Sequence, residues 1–225
     1  MPKNHLKTQK APRTWPIKRK NTKFISRPNP SAHSLELSLP LVIVLRDLLK
    51  KAKTNKEVKN ILHNQDIFVN GKNRNNNKFS MGLMDVLSIK KENEHYIMLI
   101  NSQNKLYLHP ISKKSSLQKT SKIKDKKIGK NGIIQLNTLD GRTILIKKSD
   151  GKPGDSVVLS IPSQELLRTL KLEKGAKVLL FKGKHVGKIV LLESVRNGII
   201  IFKHNSKKFE TKKDCAMVVD ESLLK

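Results

Sequence analysis

The sequence predicts an α+β protein of several small domains, on three observations. Its 225 residues are 36% hydrophobic but only 4% aromatic, thin for one large core and adequate for several modest ones. Residues 41–62 repeat their apolar positions at helical spacing. From Tyr96 onward, short apolar runs alternate with Gly and Asn turn signals, a pattern of strands.

The N-terminal stretch is expected to be an extended arm. Nine Lys and Arg precede the first acid, Glu36, and Pro12, Pro16, Pro28 and Pro30 deny the segment a continuous helix. Trp15 and Phe24 interrupt the basic run, placed either to stack on bases or to dock on the protein's own domains or a neighbour. Ser38 with Pro40 then opens a helix whose apolar stripe is Leu41, Val44, Leu45, Leu48 and Leu49. Thr54 and Glu57 have capping-box spacing, predicting a second helix that buries Val58, Ile61 and Leu62. Ile67, Phe68 and Val69 form a strand ending at Asn70-Gly71, the pair best suited to a tight hairpin turn, and a strand returns near 86–89.

Further strands are expected at 97–100, 106–108, 133–136, 143–146 and 156–161. Their turns fall at Asn104-Lys105, Asp140-Gly141, Asp150-Gly151 and Pro153-Gly154. Between them, 113–130 is rich in Lys and Ser with almost no apolar content and reads as a mobile basic loop, with an ordered RNA contact as the alternative. Strands at 177–181, 188–192, 199–202 and 216–219 predict a small C-terminal barrel, with Cys215 beside the last of them in a buried strand position. A lone thiol fits a reducing cytosol, and no apolar stretch marks a signal peptide.

Charge decides the partner. With 47 Lys and Arg against 18 Asp and Glu, the formal net charge is +29. That self-repulsion implies a polyanion. Membrane is disfavoured, because no apolar span approaches the ~18 residues required. Catalytic motifs fail on inspection. The loop Gly183-Lys184-His185-Val186-Gly187-Lys188 has three residues between its glycines and Ile189 after the lysine, so it is not a Walker loop. The histidines are scattered without zinc spacing. No metal, cofactor or small-molecule substrate is expected. Leu139-Asp140-Gly141-Arg142 differs in order from the Gly-Arg-Leu-Asp context of pseudouridine synthases and reads as a turn.

The series Ala11-Pro12, Trp15-Pro16-Ile17, Arg19-Lys20, Arg27-Pro28, His33-Ser34-Leu35-Glu36 and Ser38-Leu39-Pro40-Leu41 resembles the N-terminal signature of the small-subunit ribosomal protein family S-four-e. Leu45-Arg46-Asp47, Val69-Asn70-Gly71-Lys72 and 82–86 resemble its S-four-type RNA-binding module. Gln135-Leu136-Asn137, Asp140-Gly141-Arg142 and Gly154-Asp155-Ser156 resemble its central domain, and 175–189 its KOW module. Asn70 stands where the family commonly has Asp, Ser31-Ala32 where Gly-Pro is usual, and Val190 where Gly often follows.

The resemblance implies a basic arm (1–38), an S-four-type module (39–92), a β-rich central domain (93–172) and an SH3-like KOW domain (173–225). It implies a non-enzymatic constituent of the small ribosomal subunit, cytoplasmic, bound to the 5′ domain of 16S-type rRNA and to neighbouring ribosomal proteins. Because the chain stops at Lys225, without the extra C-terminal domain of eukaryotic members, the archaeal form is expected. The expected RNA-binding residues on the arm are Lys3, Lys7, Lys10, Arg13, Trp15, Lys18, Arg19, Lys20, Lys23, Arg27 and His33. On the module they are Arg46, Lys50, Lys51, Lys53, Lys56, Lys59, Asn70, Lys72 and Arg74, and beyond it Arg142, Lys182, Lys184, His185 and Lys188. A free RNA chaperone or KOW-type transcription factor, and an RNA-modifying enzyme using Asp140, are the alternatives.

Overall fold

The computed structural model describes residues 5–64, 66–129, 132–147, 150–196, 198–204 and 207–220. Strands dominate, and the helices are short. The chain divides into two units, one built from the chain up to Ile100 with Asn104–Ser116, the other from Asn101–Gln103 and from Leu117 onward.

In the first unit, β1 (Leu6–Lys7) and β2 (Phe24–Ile25) pair antiparallel, Lys7 opposite Phe24. The arm is therefore folded rather than extended. Its anchor is Trp15, fully buried, with the indole N–H donating to the Leu35 carbonyl at 3.1 Å. The bulk of that ring outweighs the surrounding charge: Trp15 docks on the protein itself, one of the two placements expected of it, and the extended arm is corrected to a folded one.

Ser38 does not cap a helix. It lies in β3 (Ser38–Pro40), and its hydroxyl donates to the Ser34 carbonyl at 2.9 Å. Helix α1 (Leu41–Ile43) starts after Pro40 with no side-chain cap and widens over Val44–Leu48 into a π turn, where Leu49 N–H donates to the Val44 carbonyl at 3.0 Å. Lys50 (φ 55°) closes the helix in the left-handed region. Helix α2 (Asn55–His63) has the expected cap: Thr54 Oγ1 accepts from Glu57 N–H at 3.3 Å. The Glu57 carboxylate reaches one residue further back than a capping box requires, accepting from Lys53 N–H at 2.7 Å.

β4 (Ile67–Val69) and β5 (Lys72–Asn73) flank the Asn70-Gly71 turn, where φ is 51° and 72°, as that pair predicts. β6 (Ser80–Gly82) pairs with β3, Pro40 opposite Ser80. β7 (Val86–Ile89), β8 (Glu94–Ile100) and β9 (Leu106–Pro110) complete a sheet in the order β5-β4-β7-β8-β9, and α3 (Lys113–Ser116) packs on β8. Residues 94–110, expected in a separate central domain, thus extend the sheet of the first unit.

The second unit holds two five-stranded antiparallel sheets. β10 (Gln118–Ile128), β11 (Ile134–Thr138), β12 (Thr143–Ile146), β13 (Ser156–Ser160) and β14 (Leu166–Leu170) stand in the order β12-β11-β10-β13-β14 around Ile123, Leu136, Val157 and Leu159. The expected basic loop at 113–130 is overturned here, because β10 is the central strand. Its residues 119–123 are all buried, so both faces are covered and no alternation announces it in the sequence.

β15 (Lys177–Leu180), β16 (Ile189–Arg196), β17 (Ile199–His204), β18 (Lys207–Lys212) and β19 (Ala216–Val218) form the other sheet, ordered β18-β17-β16-β15-β19. Val178, Leu180, Val190, Leu192, Ile200 and Phe202 centre its core. Cys215 belongs to a 3₁₀ turn and is half-buried, not a strand residue. Edge strand β18 escaped the sequence reading because Lys207, Lys208 and Lys212 dilute its apolar content.

Candidate nucleic-acid interface

Three acids, Asp85, Asp140 and Asp155, are buried among the described residues. Asp85 is buried; it accepts from Asn70 Nδ2 at 2.8 Å and from Gly82 N–H at 2.7 Å, and lies 3.1 Å from His33 Nε2. Asp155 accepts from the Lys152 and Leu172 amides at 2.8 and 2.9 Å. Asp140 is buried with Lys119 Nζ at 2.5 Å, Arg142 Nε at 3.2 Å and Ser121 Oγ at 2.8 Å. Burial alone would raise its carboxyl, but Lys119 and the hydroxyls of Thr138 and Ser121 outweigh that and hold it below the usual carboxylate range. With these three acids engaged internally and Lys and Arg outnumbering all acids 47 to 18, the field outside is positive.

On the arm, Lys7, Lys10, Arg13, Lys18, Lys20, Lys23 and Arg27 are exposed, while Lys3 lies outside the described residues. Two expected contacts have structural duties instead. Trp15 is unavailable for stacking, being entirely covered. Arg19 turns inward, its guanidinium donating to the carbonyls of Ala11 and Pro12 at 2.9 and 2.7 Å and lying near those of Thr8 and Gln9. The accessible aromatic is Phe24, 46% exposed, with Lys23 Nζ 5.6 Å from its ring centre.

On the helical face, Lys50, Lys53, Lys56 and Lys59 are exposed. Lys51 is diverted: it pairs with Glu92 and Glu94, and those carboxylates raise its ammonium well above the ordinary lysine range. Arg46 makes a bidentate pair with Asp47 at 2.8 and 2.9 Å. Asn70 is occupied by Asp85 and by the Val86 amide, so it orients the hairpin, whose tip exposes Lys72. Arg74 is half-buried, its guanidinium 4.3 Å from the Phe79 ring centre.

In the second unit, the 181–188 turn between β15 and β16 exposes Lys182 and Lys184, with Lys188 half-buried. His185 instead packs on Phe209 and Phe202, with ring centres 4.5 and 5.6 Å away, and Arg142 serves Asp140. Further exposed cations lie outside the expected contact residues, some of them within the 113–130 stretch. Lys78 is exposed beside β6, and Lys124 and Lys127 are exposed on the outer half of β10. Their adjacency to Asn-rich and Lys-rich stretches was the available signal.

Fold and surface together define a class: a β-rich protein of small units whose outward cations suit a polyanionic partner. The sequence profile of Ribosomal family S4e matches residues 92–166, and that of the RS4NT (NUC023) domain matches residues 1–36. Small ribosomal subunit protein eS4 of Methanothermobacter thermautotrophicus is 38% identical over 99% of this chain and 95% of its own length. The Methanocaldococcus jannaschii protein of that name is 39% identical over 98% and 95%. In structure, the 30S ribosomal protein S4e from Thermoplasma acidophilum is similar with a TM-score of 0.72 and 29% identity, over 81% of this chain and 95% of that one. The chain belongs to Ribosomal family S4e, a family of structural, non-enzymatic proteins.

Proposed function

We propose that this protein is a structural constituent of the archaeal small ribosomal subunit, binding the 5′ domain of 16S-type rRNA and stabilising its folded arrangement during assembly and translation. One observation carries the reading: a chain of formal charge +29 sequesters Asp85, Asp140 and Asp155 inside its units while arm, helical face and glycine loop expose lysines. Ammonium groups so placed neutralise phosphates where RNA helices approach each other, and they fix geometry without reading sequence. Residues 39–92 act as the S-four-type module and residues 173–225 as the KOW barrel, with Lys182 and Lys184 at its RNA-facing loop. Neighbouring small-subunit proteins are the second class of partner.

The decisive measurement is sedimentation of tagged protein from cell extract in moderately high salt. It should travel stoichiometrically with the small subunit. Recovery only as a soluble monomer, with particles lacking it, would overturn the proposal.

A further inference from the structure

Beside the paired strands β3 and β6, the first unit has a cavity of about 450 Å³, within the ~300–1,000 Å³ of small-ligand clefts. It is built rather than incidental. Pro28 and Pro30 fix the backbone of a strap over it, and Asn29 N–H pins that strap to the Lys78 carbonyl at 2.9 Å. One wall is His33, whose ring lies flat on Gly82: a Cβ at that glycine would sit 2.1 Å from His33 Cγ. Asp85, 3.1 Å from Nε2, holds the ring there. Thus neither strap nor wall has to be organised by the ligand.

Its chemistry is specific. Arg27 and Lys78 stand at the rim, and no carboxylate lines the cavity among the described residues. The prolines and the half-exposed Leu35 supply apolar surface. Ser80, 3% exposed, forms part of the floor. Cations at the rim and apolar walls match a phosphate and the faces of a base. Duplex RNA keeps its bases stacked and cannot offer that combination, whereas loops and bulges can.

We propose that this cavity takes one unpaired nucleotide of the bound RNA, its base against Pro28, Pro30 and Leu35 and its phosphate between Arg27 and Lys78. The inference rests on the RNA-binding reading above and adds a strand preference to it.

The test compares the full-length protein on an unstructured RNA of about 12 nucleotides and on a duplex of the same length, by fluorescence anisotropy. The Arg27→Ala/Lys78→Ala double variant should weaken single-strand binding at least about tenfold and duplex binding far less. Lys20→Ala/Lys23→Ala removes equal charge elsewhere and should weaken both RNAs in parallel. Ser31→Trp, at the exposed rim, plugs the cavity without altering charge and should again weaken only single-strand binding. If the cavity variants behave like the Lys20/Lys23 control, or Ser31→Trp has no effect, the nucleotide pocket is overturned while RNA binding stands. If the unmodified protein binds neither RNA, both readings fall.

Discussion

Lys122 shows how far a single residue in this chain departs from its surface stereotype. It is 6% exposed, its ammonium donates to the Lys213 carbonyl at 2.7 Å and lies 5.7 Å from the Phe181 ring centre, and burial lowers its pKa to about 8. An unfolded lysine titrates near ~10.4. Between those values the unfolded chain holds a proton that the folded chain has released, so stability rises as pH climbs from 8 towards 10.4, and below 8 the full penalty is present. The difference is on the order of 3 kcal/mol. Lys122→Met should therefore stabilise the protein at pH 7 and lessen the rise in stability between pH 8 and 10; denaturant titrations of both proteins at the two pH values check this. An unchanged rise would mean that Lys122 does not titrate differently in the fold. Asp140 has the opposite sign: its depressed carboxyl supports the fold above the unfolded carboxylate range and loses that support as pH falls through its folded pKa.

Elements differ in how plainly the sequence declares them. Trp15 roots the N-terminal segment, and truncating a buried Trp costs about 3–5 kcal/mol, so Trp15→Ala should shift the unfolding midpoint strongly. Phe24→Ala, at a 46% exposed ring, should stay within about 0.5 kcal/mol. Equal effects in equilibrium denaturation would contradict the assigned anchor. Local chemistry was readable where it acts within a few residues: the Asn70-Gly71 turn and the Thr54 cap of α2 both lie where expected. It failed where distant partners decide the outcome. Lys119 and Lys122 look like loop residues until Asp140 and the Lys213 carbonyl are set beside them, 21 and 91 residues away. Ser38 looked like a cap, but pairing with Gly82 drew it into β3. Among the expected contact residues, Lys50, Lys56 and Lys72 are exposed as charge alone implies, whereas Trp15, Arg19, Lys51, Asn70, Arg142 and His185 are committed to internal partners that sequence spacing does not reveal.

At the scale of the whole molecule, the proposed RNA binding rests on a net charge of +29 spread over many lysines. If six to ten phosphates are engaged, affinity of the isolated protein for rRNA fragments should fall by roughly 10³ to 10⁵ between 50 and 200 mM salt. Titration of the binding constant against salt gives the slope directly, and a flat dependence would contradict a surface built on lysine–phosphate contacts. The chain-wide organisation was only partly legible: strands 94–110 belong with the first sheet because β8 pairs with β7, a register that no composition shift near residue 92 discloses. The same long-range closure has a temporal side. Thr14 receives the Leu106 amide, and Arg13 accepts from Lys105, 92 residues further along. At an elongation rate of ~5–20 residues per second, the nascent N-terminus waits roughly 5–20 s for those partners to emerge. For that interval it is a tethered polycation with its Lys105 and Leu106 anchors still missing, presented to any RNA nearby before the domain beneath it exists.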